Sequence, residues 1–390
     1  MYLSEIELRA LRNITHCKLS LAPHLNILHG ANGAGKSSFL EGVYLLGYGR
    51  SFRTTRYTRV VQEGADRLTA FGLLVAGKAE PDVPRGTLPE PESNPEPPEA
   101  QARRAVPIGI ARSRNGDVSI RVNREDQKQL SVLPALMPVQ LLSPENYQLL
   151  SEAPGSRRRF LDWGVFHVEH RFLFHWRRMN RSLAQRNRAL KNAGSYQDIE
   201  PWDKELVDSS QAIGRMRRDY LAVLNPYFQR LLEQFLPDIP LELVYAQGWP
   251  EAGDLADVLA EAFQSDRKSG FTRAGPQKAD VRVTLRGKTA HEQLSRGQQK
   301  LAVHALKLAQ LVCLQEQTGK SGILLVDDIG AELDKAHQQV LFQTLADMSD
   351  LQIFVTSVNL EPLKPLIKRY NGAHVFHVEQ GEISPQFQEK

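Results

Sequence analysis

The chain has 390 residues, a length that favours two compact units, or one domain carrying a large insertion, over a single core. Hydrophobic residues make up 41% and charged residues 24%, and no apolar run approaches the roughly 20 residues that cross a bilayer, so no membrane span is expected. The net charge of +4 gives only a weak lean towards nucleic acid, and the two cysteines, Cys17 and Cys313, lie far apart without a CxxC pair or a nearby His cluster, so neither a disulfide framework nor a zinc site is indicated.

The opening MYLSEIELRALRN carries early acids and no apolar stretch followed by small residues, so no secretory or transit signal is expected and the protein stays in the cytoplasm. Apolar and polar positions alternate in IELRAL, CKLSL and LNILH, broken at Arg12-Asn13 and Pro23-His24, which predicts short strands joined by turns. From Lys78 to Pro107 the composition shifts to Pro, Glu, Gly and Ser, with almost nothing able to fill a core, and a disordered surface insertion is expected. Strands resume at IGIARS, VSIRVN and MPVQLL. Helical spacing then runs from Gly155 to about Phe235, where Phe160, Trp163, Phe166, Phe172, Phe174 and Trp176 read as a core stripe rather than a base-stacking platform. Leu206, Ile213, Met216, Tyr220 and Leu224 predict a short helical arm. VRVTLRG is a strand, Gln298–Gln317 a helix, and GILLVDD, QIFVTS and HVFHVE are strands again. Residues 1–150 and 275–390 are therefore expected to form an α/β lobe with a mixed sheet, into which 151–274 insert a helical lobe.

Gly30-Ala31-Asn32-Gly33-Ala34-Gly35-Lys36-Ser37 fits GxxxxGK[ST] between the strand LNILH and the helical SSFLEGVYLL, the context a phosphate loop requires. Backbone N–H groups and the helix dipole can cradle phosphate oxygens, Lys36 neutralises the outer phosphates of ATP, and the Ser37 hydroxyl can ligate Mg²⁺. The apolar strand ending in Asp327-Asp328 places carboxylates at its C-terminal edge, with Asp327 as the magnesium partner and Asp328 placed to orient or deprotonate the attacking water. Between Arg157 and Lys191 the basic residues Arg157, Arg158, Arg159, Arg177, Arg178 and Arg181 outweigh Asp162 and Glu169. Such clustering suits DNA phosphates, the alternative being a solvated helix face with arginines packed on aromatic rings. No base-reading module is present, so recognition of duplex shape and backbone, or of single-strand junctions, is expected.

Leu294-Ser295-Arg296-Gly297-Gln298 resembles the LSGGQ turn of ABC-type ATPases, with Arg at the third position. In that class the turn caps the γ-phosphate of a nucleotide bound to the opposite subunit. Its presence, with the Arg-rich segment, sets aside a small-molecule kinase. The nucleotide-binding subunit of a membrane transporter remains the alternative.

LGYGRSFR, SRRRFLDWG, TRAGPQKAD, LSRGQ and LLVDDIGAELD together resemble the RecF family of bacterial recombination mediators over nearly the whole chain. The resemblance implies an ABC-type P-loop ATPase head related to those of Rad50 and SMC, with a second helical lobe and an ATP-dependent homodimer. It also implies weak, DNA-stimulated ATP hydrolysis and binding to duplex DNA or ssDNA/dsDNA junctions. The pathway implied is recombinational repair and replication restart, with RecR, RecO and the recombinase RecA as partners. Residue by residue, it assigns Gly30, Asn32, Gly33, Gly35, Lys36, Ser37 and Ser38 to the phosphate cradle and Ser295, Gly297 and Gln298 to the γ-phosphate cap. Gln140 is assigned to γ-phosphate and magnesium sensing, and Asp334 to the loop that crosses the dimer interface. Arg50 or Arg53 either reaches the phosphates or belongs to a solvated loop. Two departures, Asp328 where the class usually has Glu and Thr356-Ser357 where many members have a switch His, predict slow turnover.

Overall fold

In a computed structural model of the chain, residues 1–76, 105–144, 148–328, 335–348, 350–370 and 372–386 are described. By packing they divide into two units, Met1–Pro144 with Lys320–Lys390, and Glu145–Gly319.

The first unit opens with β1 (Tyr2–Leu11), β2 (Ile14–Ser20), β3 (Leu25–His29), α1 (Lys36–Tyr48), β4 (Arg67–Val75), β5 (Ala105–Ser113), β6 (Val118–Val122), β7 (Glu125–Gln127), α2 (Val132–Leu136) and β8 (Val139–Leu142). An antiparallel sheet takes the order β2-β1-β4-β5-β6-β7, and alternation sends Ile6, Leu8, Leu68 and Ile110 inwards. The expected insertion ends earlier than its composition suggested. Ala105, Val106 and Pro107 pair with Val75, Leu74 and Leu73, because β4 is long enough to hold all of β5, while residues 77–104 lie outside the described residues.

The second unit contains α3 (Gln148–Ser151), α4 (Pro154–Val168), α5 (Phe172–Ala189), α6 (Glu200–Phe235), β9 (Leu241–Ala246), α7 (Leu255–Glu261), α8 (Phe263–Ser269), β10 (Asp280–Leu285), β11 (Lys288–Thr289), α9 (Ala290–Gln293) and α10 (Arg296–Thr318). The helix expected as a short arm is the 36-residue α6, packed along α5 and α10. Leu206, Ile213, Tyr220 and Leu224 are buried there, so the repeat that suggested an arm is the core stripe of this unit. The aromatic stripe splits: Phe160, Trp163 and Phe172 are buried, whereas Phe174 and Trp176 are exposed, since α5 turns them away from the core. Residues 275–319 pack with this unit and not with the first, as the expected lobe boundaries had it, because α10 lies on α6 and α4 and β10 pairs with β9.

The chain then returns to the first unit through β12 (Ile323–Val326), α11 (Lys335–Ala346), β13 (Gln352–Ser357), α12 (Lys364–Arg369), β14 (His374–Glu379) and β15 (Glu382–Gln386). These complete a mixed sheet in the order β15-β14-β3-β13-β12-β8, in which all neighbours are parallel except β14 and β15. Phe39, Leu40, Val43 and Leu46 of α1 join one core with residues of both sheets. Gln352, 2% exposed, bonds Leu3 N, Leu3 O and Ala22 O and so ties the two sheets together.

Candidate nucleotide-binding site

The carboxyl ends of β3, β12 and β13 converge on the loop Gly30–Gly35, where an open parallel sheet places its ligands. Gly30 cannot be replaced, because at φ 155° its Cβ would stand 2.1 Å from Val378 O; Gly33 and Gly35 also take positive φ. Lys36, 7% exposed, donates to the carbonyls of Gly30 (2.7 Å) and Ala31 (2.9 Å). Burial lowers the pKa of its ammonium, while the charges of Asp328 and Asp327 oppose that shift. A bound phosphate would supply a far stronger acceptor than two carbonyls.

The Ser37 hydroxyl donates to Asp327 Oδ1 at 2.8 Å, bringing together two of the three side chains predicted for the magnesium. Mg²⁺ is bound through one or two carboxylates with phosphate and water completing its octahedron, and this donor pair fits it. Thr356, near the end of β13, donates to the same Oδ1 (2.8 Å) and accepts the Asp328 amide (2.8 Å). Asp328 sits at φ 49°, a left-handed conformation at the strand's end.

The backbone of Gln140 lies further back in the sheet. Gln140 is the second residue of β8, opposite Leu324 and 6% exposed, whereas Asp327 lies three positions beyond Leu324 and bonds Leu142 O. At about 3.3 Å per residue, that sets Gln140 roughly 10 Å back along the sheet. Asp334 lies outside the described residues. Ser38 is held by Asn13, whose side chain accepts its hydroxyl (3.0 Å) and donates to Ala34 O (3.0 Å). Sequence reading missed Asn13 and the buried Glu41, which pairs with Arg12, and it read Thr356 only as a missing His; the break at Arg12-Asn13 was the one signal that a turn stood there.

In the second unit Ser295 caps α10 reciprocally with Gln298: its hydroxyl accepts from Gln298 N (3.3 Å), and Gln298 Oε1 accepts from Ser295 N (2.9 Å). Ser295, Arg296 and Gly297 are exposed, leaving the start of a 23-residue helix open to an anion.

The arginines predicted for DNA fall into two groups. Arg157 pairs in bidentate fashion with Asp280 (2.7 and 3.0 Å), and Arg158 donates to Ala279 O (2.7 Å), with burial lowering its pKa. Asp162 holds the buried Arg217, which also donates to Pro276 O. SRRRFLDWG and TRAGPQKAD are thus stitched to each other and to α6, which explains their Arg and Asp content without a ligand. Arg159 is exposed and bonds Ser156, and Arg178 pairs with Glu205. Arg177 and Arg181 are exposed along one face of α5 with Phe174, at helical spacing, and Arg188, which was not among the predicted residues, continues that face.

The chain matches the family model of the RecF/RecN/SMC N-terminal domain over residues 2–384. It is 37% identical to the DNA replication and repair protein RecF of Shewanella loihica over 98% of this chain and 99% of that protein. It is 38% identical to the protein of the same name from Shewanella woodyi, covering 98% of each. Among solved structures, that of the recombination mediator RecF with ATP superposes with a TM-score of 0.83 at 24% identity, covering 99% of this chain and 98% of the other. An SMC head bound to the winged-helix domain of ScpA follows the same fold at TM-score 0.56 and 13% identity, with 99% and 97% covered. The fold is the mixed α/β fold of RecF and SMC heads. Among the described residues, no helix is long and apolar enough to cross a membrane.

Proposed function

We propose, from the premise that this chain belongs to the RecF family, that it is an ATP-driven DNA-binding protein of recombinational repair and replication restart. Relatives that match over 98% of the chain are named for DNA replication and repair, and a solved likeness is a RecF–ATP structure of the RecFOR pathway. ATP with Mg²⁺ binds at Gly30–Ser38. The observation that carries this reading is the Ser37–Asp327 pair beside the Lys36 ammonium, a charge arrangement suited to a metal-bound triphosphate.

Lys36 binds the outer phosphates, Ser37 and Asp327 hold the metal, and Asp328, kept at the strand end by Thr356, orients or deprotonates water. The exposed turn Ser295–Gln298 caps the γ-phosphate held by a second copy, so ATP joins two heads and slow hydrolysis parts them. Duplex DNA or an ssDNA/dsDNA junction lies against the basic face of α5, Arg177, Arg181 and Arg188, with RecR, RecO and RecA as partners in the pathway. The transporter-subunit alternative is not favoured, since the relatives reported above match over almost the entire chain and carry a repair name.

Analytical ultracentrifugation with and without ATP and duplex DNA tests the reading. The protein should dimerise with Mg-ATP and hold DNA more tightly as a dimer. Lys36→Ala should abolish both effects, and Ser295→Arg should abolish dimerisation while sparing ATP binding. A Lys36→Ala protein that still dimerises with ATP would overturn the site.

A further inference from the structure

Strands β14 and β15 pair as far as Glu379 and Glu382, so only Gln380 and Gly381 connect them. Both connecting residues take positive φ, 48° and 87°, as a two-residue hairpin turn of the tightest kind requires. The strands on either side are anchored in the first unit, with Phe376 and Val378 buried in its core and Ile383 packed against it.

The turn meets the phosphate loop. The Gly381 amide donates to Ala34 O at 2.7 Å, and the Asn13 side chain donates to the same oxygen at 3.0 Å. One carbonyl of the loop is thus held by donors from near both ends of the chain. Gly381 is fitted to this place by shape as well as by conformation. It is buried, and a Cβ on it would stand 2.0 Å from the backbone oxygen of Asn13, which cannot swing aside as a flexible side chain can. Val378 O excludes a Cβ at Gly30 in the same way, so the hairpin lies against the loop at its beginning and near its end. A trans peptide is planar and points its C=O and N–H in opposite directions. Ala34 O and the Gly35 N–H belong to one such unit. Drawing the oxygen outwards to Gly381 and Asn13 therefore turns the Gly35 N–H the other way, to the side on which a phosphate loop receives its anion.

We propose that Gly381 is a positioning residue for the nucleotide: by holding Ala34 O, the turn between β14 and β15 aims the Gly35 N–H at a phosphate oxygen. This rests on the nucleotide reading given above. The role is one of backbone and shape, and it makes the cradle complete only once the last strand pair has closed on it.

The experiment is titration of Mg-ATP into wild type, Gly381→Ala, Asn13→Ala and Ile383→Ala, well below their melting temperatures, which are measured alongside. The Gly35 amide is followed by NMR in protein with isotope labels on alanine carbonyls and glycine nitrogens, which select Ala–Gly peptides. Gly381→Ala should weaken Mg-ATP about tenfold, as loss of one charge-assisted hydrogen bond does. At saturating Mg-ATP its Gly35 resonance should move far less than that of wild type. Asn13→Ala, which removes the other donor without crowding the turn, should act in the same direction. Ile383→Ala shortens a half-buried side chain and leaves the turn intact, so it should lower the melting temperature and bind Mg-ATP as wild type does. Wild-type affinity in Gly381→Ala overturns the proposal, and so does an equal loss in Ile383→Ala, which would tie affinity to the stability of the hairpin. If Gly381→Ala does not fold, Asn13→Ala decides, and wild-type affinity there with an unaltered Gly35 shift overturns the proposal. Lys36→Ala separates the two readings. If it abolishes ATP binding while Gly381→Ala binds normally, the positioning role alone falls; if Lys36→Ala binds ATP normally, the nucleotide site falls with it.

Discussion

Thr356 donates its hydroxyl to Asp327 across adjacent parallel strands at 2.8 Å, and the same oxygen takes the amide of Asp328, so one side chain orients both carboxylate-bearing residues. Thr356→Val keeps the shape and removes both bonds. Hydrolysis of Mg-ATP should slow about tenfold, with ATP affinity in the absence of metal unchanged, because the loss falls on residues that face metal and water. Metal titration of the turnover rate checks this; an unaltered rate would make Thr356 a packing residue.

Arg157→Ala should act on stability and not on DNA. Its pairing with Asp280 leaves the two side chains 12% and 15% exposed, and breaking a largely buried pair costs about 1–3 kcal/mol. Urea unfolding should show the loss, while affinity for duplex DNA at constant salt stays as in wild type.

Replacing Arg177, Arg181 and Arg188 by Gln should do the reverse. Each phosphate contact contributes about 0.9 to the slope of log affinity against log salt, so the slope for duplex DNA should shallow by about three. Melting temperature and ATP affinity without DNA should hold. An unchanged slope would remove α5 from the interface.

His304 supplies a pH test. It is 8% exposed on α10, and burial, helped by Lys307 and Lys300, lowers its pKa to about 3. The charged form is thus disfavoured in the folded state. Stability is unaffected by this group above its unfolded pKa near 6.5 and falls as pH drops from there towards 3, by at most about 1.4 kcal/mol per pH unit. His304→Leu should lose less stability than wild type between pH 6 and pH 4, read as the difference between their melting curves.

The phosphate loop, the Asp-Asp strand end and the capped turn at Ser295 could be read directly because their chemistry is local: a glycine pattern, an apolar strand and a short polar turn before a helix. Gln140 could not be placed, since strand register decides whether a residue reaches the sheet's edge, and register is set by pairing with Leu324 far along the chain. The arginines misled for a related reason. Composition shows that Arg157 and Arg177 are both basic, but only packing shows that Asp280 stands beside one of them. Glu41 read as one more helical acid, and nothing local announced that Arg12 and Ser51 would enclose it.

The place of β3 in its sheet bears on how the protein is made. It lies between β13 and β14, and Leu3 waits for Gln352 across 349 positions. On a ribosome, the helical unit has emerged completely by Gly319, before either neighbour of β3 has emerged. The nascent amino-terminal strands therefore hold Leu25, Ile27 and Leu28 without partners while a whole second unit is translated and folds. Such long-range pairing is slow, and its unpaired edges invite aggregation.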